Sequence, residues 1–264
     1  MDVVRAKKHL GQHFLKDPHI AERIACSVLS RDLFVLEIGP GMGILTKPLI
    51  DIHKQNLSVV EIDRDSVAWL ETNLPQIRGR IYSEDFLKMD LSARFPSPMV
   101  ITGNFPYNIS SQILFKALDY RDQVVELTGM FQKEVAERVA SVHGNKTYGI
   151  LSVLIQLFYK CEYLFTVHEN DFIPPPKVKS GVIRLSRRTD YAPDCDEKLL
   201  FNVVKTAFNQ RRKTLRNALS GLIGAYDTTQ LSPWLQKRAE QLAPEEFVEM
   251  TRIISEIVER NHKL

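Results

Sequence analysis

Cysteine is scarce in this chain. Cys26, Cys161 and Cys195 are far apart, odd in number and without any C-x-x-C pair. That spacing argues against a disulfide framework and offers no zinc pattern, so free thiols in a reducing compartment are expected. Long apolar runs are missing too, and nothing approaches the length that spans a bilayer. The first residues, Met1 to Lys8, carry charge but no apolar stretch, so neither a signal peptide nor a membrane partner is expected and the cytoplasm is the expected location. Low-complexity tracts and internal repeats are absent. So is a strong excess of one charge: 35 Lys and Arg face 32 Asp and Glu, for a net +3. Whole-chain charge therefore does not select a polyanionic partner, and clustering has to decide. What is present, 44% hydrophobic and 25% charged residues in 264, suffices for one large core and a small appendage.

Residues 5–15 read Arg-Ala-Lys-Lys-His-Leu-Gly-Gln-His-Phe-Leu, a basic segment ending in apolar anchors. His9 and His13 stand four apart, but no carboxylate or cysteine at helical spacing completes a metal site, so no metal is expected. Asp17-Pro18 opens a helix with Ile20, Ile24 and Val28 on one face. Four apolar runs follow, at 33–38, 57–60, 80–83 and 99–102, with helical patterns between them. Each ends in polar or turn residues: Gly39-Pro40-Gly41-Met42-Gly43, Glu61-Ile62-Asp63, Glu84-Asp85 and Asn104. Parallel strands whose carboxyl ends line one crevice produce this pattern, and open α/β sheets bind ligands there. Further strands are expected at 124–131, 159–167 and 178–185, making seven, with helices at 132–140 and 150–158. A polar, turn-rich stretch at 190–194 precedes a change to helical periodicity. The expected division is a catalytic domain over 1–188 and a small all-α domain over 189–264.

The glycine turn allows a backbone to approach a ligand closely. A dinucleotide fingerprint requires glycine where Ile44 stands, which disfavours a pyrophosphate site. Glu61 follows Gly41 by 20 positions (61 − 41), the spacing at which a carboxylate accepts hydrogen bonds from a ribose diol. Asp85, at the next strand end, is placed to accept from an adenine amine. A nucleoside without phosphates fits all three features, and S-adenosylmethionine is such a ligand. A glycine turn alone is more often structural; joined to Glu61 and Asp85 it points to a cofactor.

Asn104-Phe105-Pro106-Tyr107 then acquires a chemistry. An exocyclic aromatic amine is a poor nucleophile because its lone pair is delocalised into the ring. The Asn104 amide oxygen and the Phe105 carbonyl can both accept from its N–H groups, localising that lone pair toward a methyl donor. Pro106 fixes the turn, and Tyr107 offers a stacking face to a base flipped from its helix. The competing reading is a plain Asn-Pro turn packed by an aromatic. In Asp171-Phe172-Ile173-Pro174-Pro175-Pro176-Lys177-Val178, Phe172 is a candidate for the other face of the base, and a proline-rich loop with a core phenylalanine is the alternative. Arg211, Arg212, Lys213 and Arg216 lie within six residues, interleaved with Gln, Asn and Thr donors, as a phosphate-binding surface requires.

The segments Lys8-His9-Leu10-Gly11-Gln12-His13-Phe14-Leu15, Leu36-Glu37-Ile38-Gly39-Pro40-Gly41, Asn104-Phe105-Pro106-Tyr107-Asn108, Phe172 to Val178 and Phe208-Asn209-Gln210-Arg211-Arg212-Lys213, in this order, carry a resemblance over nearly the whole chain. The chain resembles the KsgA (RsmA) family of small-subunit ribosomal RNA adenine N6-dimethyltransferases. The resemblance implies a Rossmann-like, seven-stranded class I methyltransferase sheet with a small C-terminal all-α domain. It implies S-adenosyl-L-methionine as methyl donor, leaving S-adenosyl-L-homocysteine, with His13, Leu15, Gly39, Glu61, Asp85 and Asn104 around it and Tyr107 and Phe172 sandwiching the target adenine. The implied substrate is two adjacent adenosines in the 3′-terminal hairpin of 16S rRNA, within the small subunit, with a role in subunit biogenesis and a monomeric enzyme. Two positions depart from the family: His13 stands where asparagine is usual, and Phe105 where leucine or isoleucine is usual. The rivals are the related 23S rRNA adenine methyltransferase of antibiotic resistance, which the 209–213 run disfavours, and an assembly factor whose methylation is secondary. A DNA adenine methyltransferase would need a target-recognition domain for which no residues remain.

Overall fold

The apolar runs fold as strands because each carries β-branched and aliphatic side chains between turn residues. The computed structural model describes residues 4–224 and 226–262. In chain order the strands are β1 (Phe14–Leu15), β2 (Phe34–Ile38), β3 (Leu57–Val60), β4 (Ile81–Tyr82), β5 (Met99–Asn104), β6 (Val124–Gln132), β7 (Tyr159–Val167), β8 (Phe172–Ile173) and β9 (Ser180–Arg187). Seven form one sheet in the order β4-β3-β2-β5-β6-β9-β7, and β1 pairs with β8. β4, β3, β2, β5 and β6 run parallel, while β9 pairs antiparallel with β6. The seven expected strands are all present.

Strand order reverses at β2, which pairs with β3 on one side and β5 on the other. A crevice opens at such a switch point, outside the carboxyl ends of the strands. Helices start where the sequence provides caps. Asp17 accepts from the His19 N–H at 2.9 Å before helix Pro18–Ser27, and Asp63 accepts from the Asp65 N–H at 3.1 Å before helix Arg64–Asn73. The β1–β8 pair was not anticipated. Two-residue strands about 157 positions apart (Leu15 to Phe172) have no periodicity to betray them.

The chain separates into two compact units, residues 1–137 with 160–187, and residues 138–159 with 188–264. The first holds the crevice. The second is helical, but it takes in 138–159, which the expected division assigned to the catalytic domain. Helix Ile150–Gln156 buries Leu151, Val153, Leu154 and Ile155 and packs against helices Glu197–Asn209 and Pro244–His262. The rings of Tyr148, Phe208 and Phe247 follow one another at 6.0 and 5.9 Å. Glu246 secures the start of the last helix by accepting from the Ala243 N–H at 2.8 Å and from Trp234 and Lys237 at 3.0 Å.

Candidate active site

The glycine turn leaves β2 along a path that a side chain would block. Gly41 has φ +55°, and a Cβ there would lie 2.7 Å from the Phe14 ring. Its N–H donates to Glu61 at 3.1 Å, and the other Glu61 oxygen accepts from the Asp63 N–H at 2.9 Å. Glu61 therefore ties the turn to the end of β3. Burial pushes its carboxyl above the usual range, and these N–H groups hold the rise back. Each carboxylate oxygen has two lone pairs, so Glu61 retains acceptor capacity toward a ligand.

Two cavities meet at this point. One, about 650 Å³, is lined by Leu15, Glu37, Gly39, Met42, Trp69 and Asn104 among others. The other, about 50 Å³, is lined by His13, Gly39, Gly41, Glu61, Asn104 and Tyr107 among others. Gly39 and Asn104 border both, and so does Phe14.

Asn104 ends β5, and its Nδ2 donates to the His13 carbonyl at 3.0 Å. A planar amide so held turns its oxygen away from that carbonyl. The neighbouring Phe105 ring is core, in stacking distance of Phe131 at 4.7 Å, and its N–H donates to the Met130 carbonyl at 3.1 Å. Room for the ring depends on Gly129, where a Cβ would come within 2.4 Å of it. The Phe105 side chain thus belongs to the core, leaving only its backbone at the corner. Tyr107 is held by a 2.5 Å hydrogen bond between its hydroxyl and Ser180 at the start of β9, and burial raises its phenol pKa.

His13 shows how imidazole is accommodated in place of the amide. Its Nδ1 lies 2.8 Å from the Pro174 carbonyl, and since a carbonyl only accepts, Nδ1 carries the proton. The ring tilts against Tyr107 with centroids 5.3 Å apart. The contact with Asn104 is made by the His13 backbone, so the side-chain exchange leaves it intact.

Two expected residues sit differently. Phe172 is 2% exposed, packed in the core with Leu15, Val167 and Val182, and borders neither cavity. Phe172 in β8 pairs with Leu15 in β1, and strand alternation turns Ile173, 60% exposed, the other way. Asp85 also borders neither cavity. Its Oδ1 caps the 86–88 turn by accepting from the Leu87 N–H at 3.0 Å, and Lys116 secures that turn by donating to the carbonyls of Leu87, at 3.0 Å, and Met89. Arg211, Arg212, Lys213 and Arg216 are exposed, the first three in the turn after helix Glu197–Asn209.

Two features escaped the sequence reading. Glu37, 1% exposed on β2, lines the larger cavity with its Oε2 unpartnered among the described residues. Burial pushes its carboxyl up to about 8, so it is largely neutral at pH 7. Its place inside an apolar run was the available signal. The second is a latch: buried Asp63 accepts from Lys7 and, at 3.1 Å, from Gln12, drawing the amino-terminal segment over the strand ends. No local pattern links those positions.

A parallel sheet reversing at β2, a glycine turn tied to an acidic strand end and an Asn-Phe-Pro-Tyr corner on β5 define a class I methyltransferase. The model of the family described as "Ribosomal RNA adenine dimethylase" matches residues 3–256. The chain belongs to that family. It is 55% identical over 261 residues, 98% of each chain, to a Ribosomal RNA small subunit methyltransferase A of Parabacteroides distasonis. To the protein of the same name from Flavobacterium johnsoniae it is 56% identical over 256 residues, covering 96% of this chain and 97% of the relative. Among solved structures, a dimethyladenosine transferase from Plasmodium falciparum matches at TM-score 0.74 and 27% identity, covering 90% of this chain and 95% of that one. The 23S rRNA methyltransferase ErmE matches at TM-score 0.71 and 25% identity, covering 93% and 99%.

Proposed function

We propose that this chain dimethylates N6 of two adjacent adenosines in the 3′-terminal hairpin of 16S rRNA, within the small ribosomal subunit in the cytoplasm, using S-adenosylmethionine. The observation that carries the reading is Asn104, oriented by the His13 carbonyl at the mouth of both cavities. The residues present suit that cofactor. Gly41 and Glu61 line the smaller cavity, Glu61 with spare acceptor capacity for ribose hydroxyls, and the largely neutral Glu37 keeps an unpartnered Oε2 in the larger one that can accept from a methionine ammonium. Gly39, Leu15 and the His13 backbone complete the wall.

When bound, the cofactor supplies an electrophilic methyl group beside Asn104. The chain's own work is orientation and electrostatics. The Asn104 oxygen and the Phe105 carbonyl accept from the target amine, drawing its lone pair out of conjugation. Tyr107, its hydroxyl anchored on Ser180, gives the base one stacking face. No side chain has to act as base while the bond forms, because the amine's acidity rises only afterwards and its proton is lost to solvent. Phe172 supplies no second face in the arrangement observed.

The choice of small-subunit RNA over 23S RNA is supported by the names of the relatives above 50% identity, whereas ErmE stands at 25%. Arg211, Arg212, Lys213 and Arg216 give the helical unit its polyanion contact. Labelled methyl transfer to small-subunit particles, large-subunit particles and naked RNA, with modified bases mapped, tests the reading. Two adjacent N6-dimethyladenosines near the 16S 3′ end are expected. Label confined to large-subunit RNA would overturn it.

A further inference from the structure

Residues 142–146 lie in the second unit beside the basic run, and nothing in the reaction uses them. They are five consecutive exposed positions, with Val142 67% exposed. Exposure does not make this turn loose. Asn145 Oδ1 accepts from the Thr147 N–H and hydroxyl at 3.1 Å, and the Thr147 and Ser141 hydroxyls are 2.7 Å apart. Gly144 has φ +82°, with open space where a Cβ would stand, and its N–H donates to the Glu240 carbonyl at 2.6 Å. The Arg211 guanidinium donates to the Lys146 carbonyl, which fastens the turn to the basic run.

Arg188, Lys237 and Arg260 are neutralised by Glu245, Glu246 and Glu256. Lys146, Arg211, Arg212, Lys213 and Arg216 are exposed and have no ion-pair partner among the described residues. Lys198, Lys205, Arg238 and Arg252 of this unit are also exposed without an ion-pair partner among the described residues, so what sets this patch apart is density: the Arg211–Lys146 bond gathers Lys146 beside Arg211, Arg212 and Lys213. Unpaired cations on a fixed backbone suit a ligand that brings regularly spaced negative charge. One Arg211 N–H is spent on the turn, leaving four guanidinium donors for a phosphate.

We infer that the RNA face of the helical unit is composite, with the 142–146 turn adding Lys146 to Arg211, Arg212 and Lys213 on the phosphodiester backbone. This rests on the rRNA reading and extends it to a segment far away in sequence. The contact is to phosphate, so it reads charge spacing and not base identity.

The test measures binding of the full chain to the 16S 3′-terminal hairpin RNA, and to an unrelated RNA duplex of equal length, across a salt series. Lys146→Ala is expected to weaken both several-fold and to lower the slope of log affinity against log salt by about one. Lys146→Glu should weaken both further, with cofactor binding unchanged in either variant. The Lys146 atom bonded to Arg211 is its carbonyl, so these changes leave the turn fastened. Slopes and affinities equal to the parent's on both RNAs would overturn the inference. A parent that binds RNA but methylates only large-subunit RNA would instead defeat the choice of substrate, leaving the Lys146 comparison readable.

Discussion

Asn104-Phe105-Pro106-Tyr107 and Phe172-Ile173-Pro174 look alike in sequence: each sets an aromatic within two residues of a proline at a strand end. The structure uses them in opposite senses. In the first, Phe105 is swallowed by the space at Gly129, and Tyr107 is left to a hydroxyl anchor on Ser180. In the second, Phe172 is the core residue and Ile173 the one left outside. An aromatic's role is thus decided by which neighbour pairs with its strand, and a one-residue change of β1–β8 register would exchange the two faces.

Breaking the corner should give the largest effect. Asn104→Ala is expected to lower the rate of methyl transfer by about 10²–10³, the range found when one preorganised hydrogen-bonding group is lost, with RNA binding near normal. Single-turnover assays with binding measured in parallel check this, and equal loss of binding would make Asn104 structural. Phe172→Ala should show the reverse balance, costing about 3–5 kcal/mol of stability in a denaturant titration. A stability change below 1 kcal/mol with lost activity would return Phe172 to the substrate. Tyr107→Ala sharpens the contrast: if the ring stacks on the base, RNA-dependent turnover should fall by the equivalent of about 1–3 kcal/mol, and by more than stability falls.

A pH dependence tests Glu37, whose carboxyl rises from an ordinary 4.5 to about 8 in the folded chain. Between those values the unfolded chain has released a proton that the native state keeps, so stability declines as pH rises through this window and levels off above it. Glu37→Gln should flatten that decline and raise the melting temperature more at pH 8 than at pH 5. An unchanged pH profile would mean that Glu37 is ionised in the folded state.

Local signals carried the seven strands, the helix start at Asp17 and the acidic strand ends, because each depends on residues adjacent in sequence. Glu61 was found by spacing, although its first task is to hold the glycine turn. What depends on distant partners was not legible. The β1–β8 pair, the Asp63 latch to Lys7 and Gln12, and the Arg211 contact with the 142–146 turn join segments through tertiary packing alone. The burial of Phe172 was hidden for the same reason: a proline-rich loop does not reveal which of its side chains a remote strand will cover.

The discontinuous helical unit has a consequence for how the chain is made and cut. When residue 188 leaves a ribosome, helix Ile150–Gln156 already exists in sequence, but the helices that cover its apolar face, Glu197–Asn209 and Pro244–His262, do not yet. A nascent chain paused there exposes Leu151, Val153, Leu154 and Ile155, a site for chaperone capture. A fragment ending at residue 188 inherits the same defect permanently. Excision of the catalytic unit should instead remove 138–159 as well, joining Glu137 to Lys160 through a short linker.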